Sequence, residues 1–550
     1  MMPRHEGLSI DGAGFAVQDG ASPAIAPAEH HVPSLSKAGS SFRSVVTRAS
    51  DDDEPTEAPE TPAFFRDLNL DQIVASITNG KQEYNLTPFF HHPLKTVEAV
   101  EYRQEVMRDL QDPRRLEAVD EFATAMRTVR DHVAQVAKLH YKFQACAWSL
   151  DAIELYCNAA KQFLSALGAS PPRSAGLAGF FGYLDAYVAA AAFQKMMADA
   201  AALKTSLASI RYRLLIGSGF VTVSAYRGEA DYGAEIQADF AKFRQGAAAD
   251  HVFKFSEFAQ MNHIEAGILD RVALLFPDIF VELQDFVARN TSFLDPTVSR
   301  FDREIQFYVA YLAHVRRFKD AGHPICFPKL SVNSKQEQVS ACYDLALAQK
   351  LVGAKQDIVA NDYFLDGSER IIIVSGPNQG GKTTFARTYG QLHFLAALGC
   401  SVPAASASLF LFDRMFTHFE KEEDISNLRG KLHDDLTRLN HTLSEASSNS
   451  VIILNEVFNS TSLSDAVFLS TKVLTSIIAL DALCVCVTFI DELASLSRTV
   501  VSMASKVKPG NLAQRTFKIT RRPPDGLAYA LSVAEKYQLT YRQLAERRSR

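Results

Sequence analysis

The chain has 550 residues, 47% of them hydrophobic and 22% charged, and a formal net charge of −6. That length calls for more than one domain, and the composition is that of ordinary globular protein rather than a disordered or fibrous chain. The acidic balance does not advertise nucleic-acid binding, although a local basic groove could sit inside it. No apolar run reaches the roughly 18 residues of a membrane span, and the N-terminus lacks a basic stretch followed by an apolar core, so no membrane association is expected. Seven cysteines are scattered along the chain, and only Cys484 and Cys486 lie close together. They alternate on a predicted buried strand, which reads as core thiols in a reducing, cytoplasmic setting.

Residues 1–60 are rich in Ser, Ala, Pro and Gly and approach their end with Asp51-Asp52-Asp53-Glu54-Pro55. This composition predicts a disordered N-terminal tail. Residues 61–335 read as mainly helical, with amphipathic stretches at 97–110, 115–139, 145–167, 177–209, 264–289 and 301–321. One interruption is different. Arg211 to Ile216, a Gly-Ser-Gly turn and Phe220 to Ser224 predict a small hairpin insertion.

Residues 336–550 change texture to strands alternating with helices, which predicts a mostly parallel sheet wrapped by helices. Strands are expected at 370–375, 409–412, 451–454, 483–487 and near Val500. Helices are expected after Lys382 to about Gly399, around Leu432 to Leu443, from Leu463 to Ala479, and at the basic C-terminus. Within this part, Gly376-Pro377-Asn378-Gln379-Gly380-Gly381-Lys382-Thr383 matches G-x-x-x-x-G-K-[ST] between a β-branched strand and an amphipathic helix. Strand, glycine loop and helix together are the context that cradles a nucleoside triphosphate. In that reading loop amides and Lys382 meet phosphate oxygens, Thr383 ligates Mg²⁺, and Gly376 to Thr384 together are the candidate nucleotide-binding residues. An accidental glycine-rich turn is the plain alternative.

The strand Val451-Ile452-Ile453-Leu454 delivers Asn455 and Glu456 at its C-terminal end, where ligands gather in a parallel sheet. Glu456 is the candidate general base for an attacking water, and Asn455 the candidate support for Mg²⁺ through a bound water. A plain strand end with polar caps is the competing reading. Other signals are weaker. Arg316-Arg317-Phe318-Lys319 could touch phosphate or simply be a solvated helix end, and His91-His92 lacks partners at metal-ligand spacing.

The loop Gly376 to Thr384 resembles the G-P-N-x-G-G-K-[ST]-T loop of the MutS family of DNA mismatch repair ATPases. Ile358 to Asp362 resembles the family's approach to the nucleotide site, and Arg414-Met415-Phe416-Thr417 its R-I-F-T strand. Asn455 to Ser462 resembles D-E-I-G-R-G-T-S, and Arg522 to Ala534 resembles the closing segment. The likeness covers about 344–540 well and the helices before it only in general outline, best at Pro88 to Leu94 and Glu101 to Leu110.

The resemblance implies a multidomain protein, with a mainly α-helical core and lever region followed by an α/β, ABC-like P-loop NTPase domain. It implies ATP and Mg²⁺ as cofactors, a homodimer formed through the ATPase domain, and DNA as a partner. Several positions depart from the family pattern. Asn455 replaces an aspartate, Phe489 stands where a histidine is common, and Ile358 replaces a base-stacking aromatic. The serine-bearing signature is altered to Arg429-Gly430-Lys431-Leu432-His433-Asp434-Asp435. The approximately sixty residues before the helices leave no room for a mismatch-reading domain. Phe255-Ser256-Glu257 and Phe280-Val281-Glu282 fit its F-x-E motif by letter but read as core packing. An ATPase is therefore expected, with a nucleotide-gated scaffold that binds protein partners as the alternative and a small-molecule kinase as a more distant one.

Overall fold

A computed structural model of the chain describes residues 42–48, 60–229, 261–420, 430–508, 511–523 and 541. The helices begin with α1 (Leu70–Thr78), α2 (Thr87–His91) and α3 (Val97–Asp109). They continue with α4 (Pro113–Val136), α5 (Lys142–Ala169), α6 (Ala175–Ala189) and α7 (Ala191–Ser209). The hairpin is present as β1 (Tyr212–Gly217) and β2 (Phe220–Ala225), paired antiparallel. Then come α8 (His263–Leu275), α9 (Pro277–Arg289) and α10 (Pro296–Asp320).

Two predicted long helices are each broken in two. Pro277 opens α9 at a position where its missing N–H costs nothing, and so ends the helix before it. At the other break Ala190 is extended, and Gln194 Nε2 donates to the Val188 carbonyl at 2.7 Å. Caps fix two starts: Thr96 accepts from Ala99 N–H, and Asn262 with Glu265 forms a capping box.

By packing, Glu117–Ser170 and Phe181–Val298 make one compact unit, and Ser41–Leu116, Pro171–Phe180 and Ser299–Arg550 make another. The helices up to residue 116 and after 299 therefore group with the α/β part, which differs from the division expected at 335. In the first unit α9 packs on α5 and α7, with Phe280 edge-on to Phe143 at 4.9 Å. Phe280 is thus a core residue, while Phe255-Ser256-Glu257 lies outside the described residues. The hairpin leaves Leu215 and Ile216 exposed.

The second unit adds β3 (Lys329–Ser331), β4 (Glu337–Cys342), α11 (Leu345–Gly353), β5 (Asn361–Leu365), β6 (Ile371–Ser375) and α12 (Lys382–Ala397). It continues with β7 (Ser406–Phe410), β8 (Met415–His418), α13 (Lys431–Glu445), β9 (Val451–Asn455) and α14 (Leu463–Leu480). Three strands, β10 (Leu483–Val487), β11 (Val500–Lys508) and β12 (Asn511–Arg521), complete it. The main sheet runs β12-β11-β6-β10-β9-β8 and is parallel except for the β11–β12 pair.

Every residue of β6, β9 and β10 is buried, as expected for apolar runs covered on both faces. Ile371, Ile373, Ile452 and Leu454 meet Leu439 of α13 and Leu474 and Ile477 of α14. On the other face Ile453 lies against Gly390 of α12. The 18 residues of α14 have a mean hydropathy of 1.5, enough by length and composition to cross a membrane. Here Val473, Leu474 and Ile477 pack on the sheet.

Two strand expectations need correction. The strand expected at 409–412 is β7, which belongs to a second sheet ordered β3-β7-β4-β5. β12 was not expected at all, because polar residues suffice for an edge strand that pairs on one side only. The C-terminal helix expectation and the segment Tyr529 to Ala534 fall outside the described residues.

The expected tail also needs correction at residues 42–48, which are packed into the second unit. Phe42 stacks edge-on to Phe180 at 5.4 Å, and Ser44, Val45, Val46 and Thr47 are buried. Ser44 Oγ and Val45 N–H both donate to Glu304 Oε2 at 2.9 Å, while Tyr308 OH donates to the Val45 carbonyl at 2.8 Å. Arg103 Nε donates to the Val46 carbonyl at 2.9 Å, and its Nη1 to the Leu398 carbonyl at 3.1 Å, at the end of α12. Composition missed this strap because its partners are remote in sequence. The rest of 1–60, apart from Glu60, lies outside the described residues.

Candidate functional site

β6 runs straight into the loop Gly376 to Gly381, and α12 begins at Lys382. Gly376 (φ 122°) and Gly381 (φ 90°) hold backbone conformations that strongly favour glycine. Gly380 is required for space instead, since a Cβ there would lie 2.6 Å from Ser505 Oγ and 2.9 Å from the Pro377 carbonyl oxygen. Its N–H closes the turn onto that same carbonyl at 3.2 Å. Remote elements tie the loop down. Ser505 Oγ of β11 donates to the Gly380 carbonyl at 2.8 Å, and Arg515 Nε of β12 donates to the Asn378 carbonyl at 3.1 Å.

A cavity of ≈ 560 Å³ opens on the loop. Asn378, Gln379, Gly380, Gly381, Lys382, Thr383 and Thr384 line one side, joined by Glu456 from the end of β9. Ile358, Val359 and Asn361 line another, together with Phe517 of β12. Gly376 and Pro377 are not among the residues that line the cavity.

Lys382 is buried, at 4% exposure. Its Nζ donates to the Gly376 carbonyl at 2.9 Å, lies 3.8 Å from Glu456 Oε1, and sits 3.5 Å from the centroid of the Phe489 ring. Burial pulls its pKa down to about 8, against the opposing pull of Glu456 and Asp491. Glu456 follows β9 in a left-handed conformation (φ 55°), with its N–H bonded to the Val487 carbonyl at 2.9 Å. A non-glycine residue held there is strained, which turns its side chain toward Lys382 at the strand end.

Asn455 is 8% exposed, and its Oδ1 is buried without a hydrogen-bond partner. Asn455 is not part of the cavity wall itself. Such an unsatisfied acceptor is costly unless something outside the chain binds it. The altered signature opens α13: Gly430 caps it, and Asp435 pairs with His418 Nε2 at 2.9 Å, while Arg429 lies outside the described residues.

Sequence reasoning missed Phe517 and Ser505. Phe517 (φ 57°, 50% exposed) lines the cavity beside the segment Ile358 to Asn361, which has no aromatic residue of its own. Asn361 holds this edge by donating from Nδ2 to the Phe517 carbonyl at 3.4 Å and accepting from Ile519 N–H at 2.7 Å. The β11–β6 pairing brings Ser505 to the loop and the β11–β12 pairing brings Phe517, so no local signal marks them.

Residues 372–542 match the family model of MutS domain V. The DNA mismatch repair protein MutS of Thermotoga maritima is 28% identical over 183 residues, 33% of this chain and 23% of that protein. MutS of an Exiguobacterium species is 27% identical over 217 residues, 40% of this chain and 24% of that protein. MutS of Thermosipho melanesiensis is 36% identical over 111 residues, 20% of this chain and 14% of that protein. The matched region thus spans about a quarter or less of these relatives' length. The similarity of this chain to the MutS family thus rests on residues 372–542, which match MutS domain V.

Proposed function

We propose that the chain binds MgATP at the Gly376–Thr384 loop, hydrolyses it, and uses the nucleotide state to control engagement of DNA. The observation that carries this reading is the buried Lys382 at the start of α12, beside a cavity bounded by the loop and Glu456. The residues fit the nucleotide. The loop has no room for a side chain at Gly380, the helix N-terminus favours anionic oxygens, and Lys382 supplies the cation. They also fit the metal, since Thr383 lines the cavity and the unpartnered Asn455 Oδ1 can accept from a metal-bound water.

When bound, Mg²⁺ supplies charge neutralisation of the phosphates. The chain's own residues do the rest. Lys382 and the loop amides orient the phosphates, Phe517 and Ile358 enclose the apolar end of the cavity, and Glu456 orients a water and takes its proton. A homodimer through domain V, a cytoplasmic location and DNA as partner belong to the same proposal. Recognition of the DNA is backbone- or structure-directed rather than mismatch-directed in this reading. It is tested by calorimetric titration with MgATP and by hydrolysis assays with and without homoduplex, G·T-mismatched and branched DNA. Lys382→Ala should weaken ATP binding at least about tenfold in a folded protein, since a buried ammonium facing several phosphate charges is lost. Unchanged affinity would remove the assignment.

A nucleotide-gated scaffold with negligible turnover and protein partners is the second reading. The uncharged Asn455 and the ring of Phe489 against Lys382 favour it. Full nucleotide binding with no hydrolysis under any DNA condition would select it.

A further inference from the structure

An ammonium has three N–H donors, and Lys382 has three neighbours to point them at. They are the Gly376 carbonyl at 2.9 Å, Glu456 Oε1 at 3.8 Å and the face of the Phe489 ring at 3.5 Å from its centroid. Lys382 also lines the cavity, so a phosphate oxygen bound there competes with these neighbours for the ammonium. The carbonyl belongs to the loop itself, and Glu456 faces the cavity.

Phe489 differs from both. It lies in the turn after β10 and is 48% exposed, so it is not held there as core packing. Its face nonetheless rests on a cation removed from water, the condition under which a ring binds a cation best.

We propose that Phe489 is a resident competitor for the Lys382 ammonium, which phosphate must displace, and that it sets a low affinity for nucleotide. The inference rests on the reading of this loop as a phosphate site. The ring covers the ammonium, and a bound polyphosphate releases it toward solvent. Phe489 therefore acts as a positioning residue through Lys382.

The test is calorimetric titration of the full chain and of Phe489→Leu, Lys382→Ala and the double variant with MgATP and with tripolyphosphate, which carries phosphates without a base. Leucine keeps apolar bulk and removes the π face, and the half-exposed position makes loss of folding checkable by thermal unfolding. Phe489→Leu should bind both ligands roughly 3- to 30-fold more tightly. The gain should vanish in the Lys382→Ala background, because the coupling runs through the ammonium. Equal or weaker binding by Phe489→Leu, with the parent binding normally and Lys382→Ala impaired, overturns the competitor. So does a gain that persists without Lys382. Failure of every variant to bind either ligand overturns the phosphate site itself.

Discussion

Ser505 of β11 donates to the carbonyl of Gly380 at 2.8 Å, and the same hydroxyl oxygen lies 2.6 Å from where an alanine Cβ at 380 would fall. The loop and the strand beside it are thus fitted to each other without spare volume. The site's shape depends on a residue more than a hundred positions away in sequence.

Gly380→Ala should therefore destabilise the protein by about 1–3 kcal/mol, the usual range for overpacking, and weaken ATP binding at least about tenfold. Adding Ser505→Ala should restore only part of either loss, because the Pro377 carbonyl oxygen stays 2.9 Å from the new methyl. Urea unfolding and calorimetry on the two variants check this, and an unaltered loop variant would refute the close fit.

The second prediction concerns pH. Burial lowers Lys382 to about 8, with Glu456 and Asp491 facing it and opposing the shift. ATP binds the protonated form, so affinity should be flat below that value and fall about tenfold per pH unit above it. For folding the sign is opposite. Between about 8 and the ordinary 10.5 the unfolded chain holds the proton that the folded chain has lost, so this group's contribution to stability rises with pH. Titration with MgATP from pH 7 to 10 decides the first point, and constant affinity to pH 10 would contradict it.

Asn455 leads to a prediction about the metal. Its Oδ1 is buried and unpartnered, so Asn455→Asp places a carboxylate where only an ion or water can balance it. Without Mg²⁺ the variant should unfold at a lower temperature than the parent. With MgATP it should regain that loss and need less Mg²⁺ for half-maximal hydrolysis. Glu456→Gln should instead suppress turnover and leave binding nearly intact. Parent-like turnover in Glu456→Gln would dismiss Glu456 as the base.

His393 of α12 and Glu337 of β4 form a buried pair at 2.6 Å, with neither side chain exposed. Burial opposes the charge on His393, but the Glu337 carboxylate and the Tyr389 carbonyl outweigh it and raise its pKa above the usual 6.5. A raised folded-state pKa gives stability that is fully present below about pH 6.5 and lost as pH climbs through the raised value. Glu337→Gln should cost about 3–5 kcal/mol at pH 6, as removing one partner of a buried pair does. The cost should shrink toward pH 9, and chemical denaturation at the two pH values reads the difference. A pH-independent cost would show that the pair does not carry the charge.

Much of this was legible in sequence because it is local. The glycine loop, the apolar strands β6, β9 and β10 and the helix stripes after them carry their own periodicity, and Glu456 follows from its place at a strand end. What was not legible is what distant pairing creates. Phe517 and Ser505 reach the loop only through β11 and β12, and nothing around Phe489 announces that its ring will lie on Lys382. Residues 42–48 failed for a related reason: a short segment without periodicity reads as a tail, whatever carboxylate and phenol await it in α10.

That strap bears on any attempt to study a shorter protein. A chain trimmed to begin at residue 60, where composition suggests a safe cut, would strip Glu304 of two donors and Tyr308 of its acceptor. It would also remove the Val46 carbonyl from Arg103, whose guanidinium donates to the Leu398 carbonyl as well. Leu398 caps a helix of 16 residues, about 24 Å long, whose other end is Lys382. Weak nucleotide binding by such a trimmed protein would then report a loosened far end of α12 and say nothing against the phosphate loop.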